Sequence, residues 1–80
     1  MAEAFVLVQT EVGRAQLVAD LIAAINGVLA AEYVVGPYDV VVRIGGDTVD
    51  EAGLGAVVRE IQHLSHVTRT LTCHLAGVRT

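Results

Sequence analysis

The chain has no tryptophan and no lysine, and only one proline and one cysteine. A single cysteine, Cys73, cannot close an intrachain disulfide, which fits a reducing compartment and a cytoplasmic location. The first loop, Thr10–Arg14, holds no Cys-x-x-Cys, so a metallochaperone of ferredoxin-like type is excluded. The cations are arginines alone and the net charge is −4, which gives no basic patch; nucleic acid is not expected as a direct partner. No apolar run approaches the roughly 18 residues of a membrane helix. No basic segment precedes a hydrophobic stretch, so neither a membrane partner nor a signal peptide is expected. No nucleophile–base pair and no phosphate-binding glycine pattern occurs.

What the chain does have is apolar surface. Hydrophobic residues make up 54% of its 80 residues. A domain this small buries only about 60–65% of the surface its unfolded chain exposes. One domain over residues 1–80, with a core of about 4–75, therefore carries more apolar material than one copy easily hides.

The pattern along the chain reads βαββαβ. Ala4–Thr10 is a near-continuous apolar strand. Within Arg14–Ile25, residues Val18, Leu21, Ile22 and Ile25 form one helical stripe, and Asn26-Gly27 supplies a left-handed cap. Val28–Val35 and Tyr38–Ile44 are strands joined by Gly36-Pro37, where Gly36 can take φ > 0 and Pro37 presets φ. Gly45-Gly46-Asp47 reads as a loop. Thr48 and Glu51 have capping-box spacing, with Asp47 as an alternative cap. A second helix follows to about Leu64, with Leu54, Val57, Val58, Ile61 and Leu64 on one stripe. Gly53 and Gly55 weaken its first turns. Val67–Leu75 is the last strand. A weak internal echo links Ile22-x-x-Ile25-Asn26-Gly27-Val28 to Ile61-x-x-Leu64-Ser65-His66-Val67. Two βαβ halves predict an α+β, ferredoxin-like fold: a four-stranded antiparallel sheet in the order 4-1-3-2 with both helices on one face.

Alternation in the last strand predicts Val67, Leu71, Cys73 and Leu75 toward the helices, with Arg69 the only polar member of that set. Cys73 is then a small buried hydrophobe. Thr68, Thr70, Thr72 and His74 are predicted to face away. In the central strands Phe5 and Leu7 oppose Val6 and Val8, and Val41 opposes Val40, Val42 and Ile44. Two helices cover one face, so an apolar face of several hundred Å² is left, near the limit for a soluble monomer. Covering it contributes about 5–10 kcal/mol per chain before association costs. A second copy, sheet to sheet, is the expected cover.

The run Val34-Val35-Gly36-Pro37-Tyr38-Asp39-Val40-Val41-Val42-Arg43-Ile44 resembles the strand–turn–strand signature of the effector domain of the Lrp/AsnC transcription regulators, the RAM domain. Ile61-Gln62-x-Leu64-x-x-Val67-x-Arg69-Thr70-x-Thr72 is similar to its second helix and final strand, and Ala4–Thr10 with Glu11-Val12-Gly13-Arg14 also fits. The resemblance covers about residues 4–75. It implies a dimeric α+β barrel, a homodimer assembling into a tetramer, octamer or larger ring. It also implies an amino acid or related small metabolite held between dimers near the loop joining strands two and three. Family members typically carry an N-terminal helix-turn-helix, for which this chain has no room. The expectation is a stand-alone, non-enzymatic effector-binding module, with a full-length regulator of the same family as a further partner and no cofactor.

Gly36, Tyr38 and Asp39 match the family's effector-loop positions. Backbone N–H groups of the turn could hold an α-carboxylate, Asp39 could accept an α-ammonium, and Tyr38 could wall the pocket. The bland alternative is that Asp39 caps the turn and Tyr38 packs at a seam. Thr70 and Thr72 are further effector-binding candidates, or simply good strand residues. His63, His66 and His74 are too scattered for a metal site. The rival readings are a cofactor-free monooxygenase or isomerase, which a pocket lined by Tyr33, His74 and Arg43 would favour, and a purely structural oligomerisation module.

Overall fold

The computed structural model describes residues 2–47 and 49–75. Its elements are β1 (Ala2–Thr10), α1 (Ala15–Ala23), β2 (Val28–Tyr33), β3 (Val40–Gly46), α2 (Glu51–Gln62) and β4 (Val67–His74). The strands form one antiparallel sheet in the order β2-β3-β1-β4. This is the ferredoxin-like βαββαβ architecture in the strand order that the sequence predicts.

The core lies between the sheet and the helices. Ala4, Val6 and Val8 of β1 and Val40, Val42 and Ile44 of β3 are fully buried against Val18 and Ile22 of α1 and Leu54 and Ile61 of α2. Helix α1 has 9 residues and no side-chain cap, too short to persist alone, where roughly 12–15 residues are needed. Its docked stripe holds it. Leu21, expected in that stripe, is instead 42% exposed, and Ala19 takes its place.

Several boundaries differ from the sequence expectation. The strands flanking the central turn end at Tyr33 and begin at Val40, so the connection spans residues 34–39. Helix α2 is capped by Asp50, whose Oδ1 accepts from the Gly53 N–H at 2.8 Å. The expected cap Thr48 lies outside the described residues. Gly45 and Gly46 belong to β3 rather than to a loop. Gly36 is not in the left-handed region; the positive-φ glycines are Gly13, Gly27, Gly45 and Gly46.

The largest departure is in β4. Val67 pairs with Thr10 and packs on the core, as expected. The register then slips between Gln9 and Thr10, and Arg69 pairs with Gln9, leaving Thr68 extra in a β-bulge. A one-residue slip sends every later side chain to the other face. Thr70, Thr72 and His74 pair with Val8, Val6 and Ala4, and so lie on the helix side. Arg69, Leu71 and Cys73 pair with Gln9, Leu7 and Phe5 on the open side. Cys73 is therefore exposed, not buried. The open face is more apolar than alternation implied: Phe5, Leu71 and Leu75 are 36%, 47% and 36% exposed.

The internal echo is structural. Gly27 and His66 both have positive φ, +96° and +74°. Val28 N donates to Ile25 O, and Val67 N to Leu64 O. Each half then has a register slip one residue further on, at Leu29 and at Thr68.

Candidate functional site

The β2–β3 connection is fastened to the end of β1. The Val34 N–H donates to Asp39 O, and the Asp39 N–H to Val8 O, both at 2.9 Å. The Asp39 carboxylate accepts from the Thr10 N–H at 2.8 Å through Oδ2, with the Thr10 hydroxyl at 3.4 Å. Gln9 Nε2 donates to Pro37 O at 3.2 Å. Asp39 therefore brackets Gln9, bonding to the residue on each side of it. Tyr38 is half-buried and Gly36 is exposed.

This arrangement changes how an anion could be held. A backbone nest needs successive N–H groups in a right- then left-handed or a turn conformation. No residue of 34–39 has positive φ, two of the loop's N–H groups are spent within the chain, and Pro37 has none. The N–H groups of Val35, Gly36 and Tyr38 have no partner among the described residues. One Asp39 oxygen is engaged by Thr10. Oδ1 has no protein partner among the described residues, so it is the atom able to meet a cation.

The structure brings Gly36, Tyr38 and Asp39 together with Gln9 and Thr10. It does not bring Thr70 and Thr72 to them. Both threonines were expected on the face away from the helices, and the bulge turns them to the helix side. Thr70 Oγ1 accepts from Gln62 Nε2 of α2 at 3.1 Å. Thr70 also lines an open depression of about 320 Å³ at the free edge of β4, with Gln62, Thr68 and Arg69. Gln9 and Thr10 were missed in the sequence because their contacts to the loop span 28 and 29 residues, beyond any local pattern.

The residues that an enzyme pocket would require do not converge. Arg43 lies on the open face and is paired with Glu3 at 2.8 Å. Tyr33 and His74 sit on the two opposite edge strands, β2 and β4, and His74 lies 3.8 Å from Glu51. The histidines do not share a ligand: His63 Nδ1 lies 2.7 Å from Arg59 O and His66 Nδ1 lies 2.6 Å from Glu11 Oε1. Among the described residues no helix is long and apolar enough to cross a membrane.

The Lrp/AsnC ligand binding domain matches residues 3–78. The fold resembles a crystal structure of a Thermus thermophilus protein with 32% identity and a TM-score of 0.88, covering 100% of this chain and 99% of that one. A hypothetical protein of Pyrococcus horikoshii gives 28% identity and a TM-score of 0.83, covering 98% of this chain and 93% of that one. AsnC of E. coli shares the fold at 17% identity and a TM-score of 0.81, covering 99% of this chain and 55% of that one. No curated protein is significantly similar. With nearly its whole length matched, the chain belongs to the Lrp/AsnC ligand-binding domain family.

Proposed function

We propose that the chain is a non-enzymatic, cytoplasmic effector module that works as a homo-oligomer. Two copies pair through their open sheet faces as a dimeric α+β barrel, and such dimers associate further. An amino acid or related small metabolite binds at the β2–β3 loop between copies. Ligand then biases assembly, or docking on a larger regulator of the same family, because it binds one of those states better than the other.

The observation that carries this reading is the open face: Phe5, Leu71 and Leu75 stand exposed beside Leu7 and Val41 on a sheet with no second layer on that side among the described residues. A thermal-shift screen of the twenty amino acids, read together with native mass, tests it. A ligand at 100 times its Kd stabilises by about 2.7 kcal/mol. Asp39→Ala should then weaken binding about ten- to a hundredfold, the loss of one charge-assisted bond. A monomeric mass overturns the between-copy site.

A second reading is favoured by one specific observation. Asp39 is already engaged by the Thr10 N–H, as a purely structural turn cap would be. An assembled protein that no amino acid stabilises would establish an oligomerisation module instead.

A further inference from the structure

The bulge moves Arg69 to the face opposite its expected one. Alternation puts it under the helices; the observed register puts it on the open face, directly opposite Gln9. Gln9 in turn reaches the β2–β3 loop through Pro37 O. Asp39 brackets Gln9 from the β3 side through Val8 O and Thr10 N, while Arg69 is its backbone partner from the β4 side and also lines the depression at the free edge of that strand. The two charged residues thus stand on either side of one strand, their backbones separated by about twice the interstrand spacing, roughly 10 Å.

Arg69 is exposed and forms no ion pair among the described residues, whereas Arg43 on the same face is neutralised by Glu3. Its cross-strand partner Gln9 is uncharged. The guanidinium is a planar, bidentate donor matched to a carboxylate. Within the loop, the Val34 and Asp39 N–H groups are already bonded within the chain and Pro37 has none. An α-amino acid carries an ammonium and a carboxylate on one carbon, and this row presents an anion and a cation across Gln9.

We propose that Arg69 is the carboxylate anchor of the effector site, with Asp39 Oδ1 taking the ammonium and the Gln9 amide lying between them. This rests on the amino-acid reading above and assigns a second, oppositely charged contact within that site.

The test uses the assembled wild-type chain and its Arg69→Gln and Arg69→Lys variants. The probes are the twenty amino acids, followed by the carboxamide of whichever gives the largest thermal shift. Wild type is expected to bind the acid about ten- to a hundredfold more tightly than the carboxamide. Arg69→Gln should lose that factor for the acid and no longer discriminate between the two, at unchanged native mass. Arg69→Lys should recover part of it, because it keeps the charge and loses the bidentate geometry. Retention of the wild-type preference for the acid in Arg69→Gln would overturn the anchor while leaving the effector reading intact. Absence of a shift with any amino acid in wild type would overturn both.

Discussion

Leu71→Asp should dissociate the protein and leave each copy folded. Leu71 sits on the open face opposite Leu7 and is 47% exposed in one copy. Covering it in a pair removes about half a leucine side chain from water, about 1 kcal/mol per copy. In a two-fold interface the substitution enters twice, and each buried, unpaired carboxylate costs several kcal/mol more. The dissociation constant should rise on the order of a thousandfold or more, read as a change from dimer to monomer by native mass spectrometry or sedimentation. The denaturation midpoint of the monomer should barely move, because Leu71 makes no part of the buried core. Thr72→Asp should do the opposite. Thr72 pairs with the fully buried Val6 on the helix side, so a carboxylate there loses about 2–4 kcal/mol of fold stability. A Leu71→Asp protein that unfolds, beside a Thr72→Asp protein that stays folded and falls apart, would refute both the register of β4 and the assembly argued from it.

Glycine substitutions probe the backbone by urea denaturation. Gly55→Ala should stabilise by up to about 1 kcal/mol, since its Cβ meets only the flexible end of Arg59, at 3.4 Å. Gly53→Ala should gain nothing, because its Cβ would lie 3.0 Å from Val49 Cγ1 and 3.3 Å from the capping Asp50 Oδ1. Gly36→Val should leave stability within about 0.5 kcal/mol, as open space surrounds the site and φ is not left-handed; any loss of ligand binding then reflects the loop surface. Gly27→Ala should cost at least about 2 kcal/mol, with φ at +96° and a Cβ 2.6 Å from Val57 Cγ2.

The element order, the strand order and most of the helix and central-strand core were legible in the sequence because they rest on local periodicity, Leu21 and the β4 residues excepted. Val18 and Ile22, and Leu54, Val57 and Ile61, announce buried faces by spacing alone. The β2–β3 loop was legible as a turn, but not the way it is held, since Thr10 and Gln9 reach it from another strand. The Asp50 cap was hidden by competing candidates at Asp47 and Thr48. The faces of β4 were misread for a different reason. Period-2 reasoning carries a single early slip through the whole strand, and Thr68 provides that slip. A signal was present all the same: the set predicted to face the helices contained a lone arginine.

That arginine points to the force that selects the bulge. Without it, Arg69 would enter the apolar layer beneath α2 with no carboxylate to meet it, at a cost of several kcal/mol. The first half of the chain has the same problem and the same solution. The slip at Leu29 pairs Glu32 with Val41 on the open side and Tyr33 with Val40 on the helix side; unbroken alternation from Val28 would have put Glu32 beneath α1. In both halves a left-handed residue ends the turn after the helix, and one extra residue then rotates a charge out of the core. The consequence differs because the strands differ. In β2 the outward set is Ala30 and Glu32, and that edge of the open face stays polar. In β4 the same move also turns out Leu71 and Cys73, beside Phe5 and Leu7 of β1. Removing one charge from beneath the helices thus creates the apolar face on which the proposed assembly rests, and it leaves Arg69 at the end of that face nearest the β2–β3 loop.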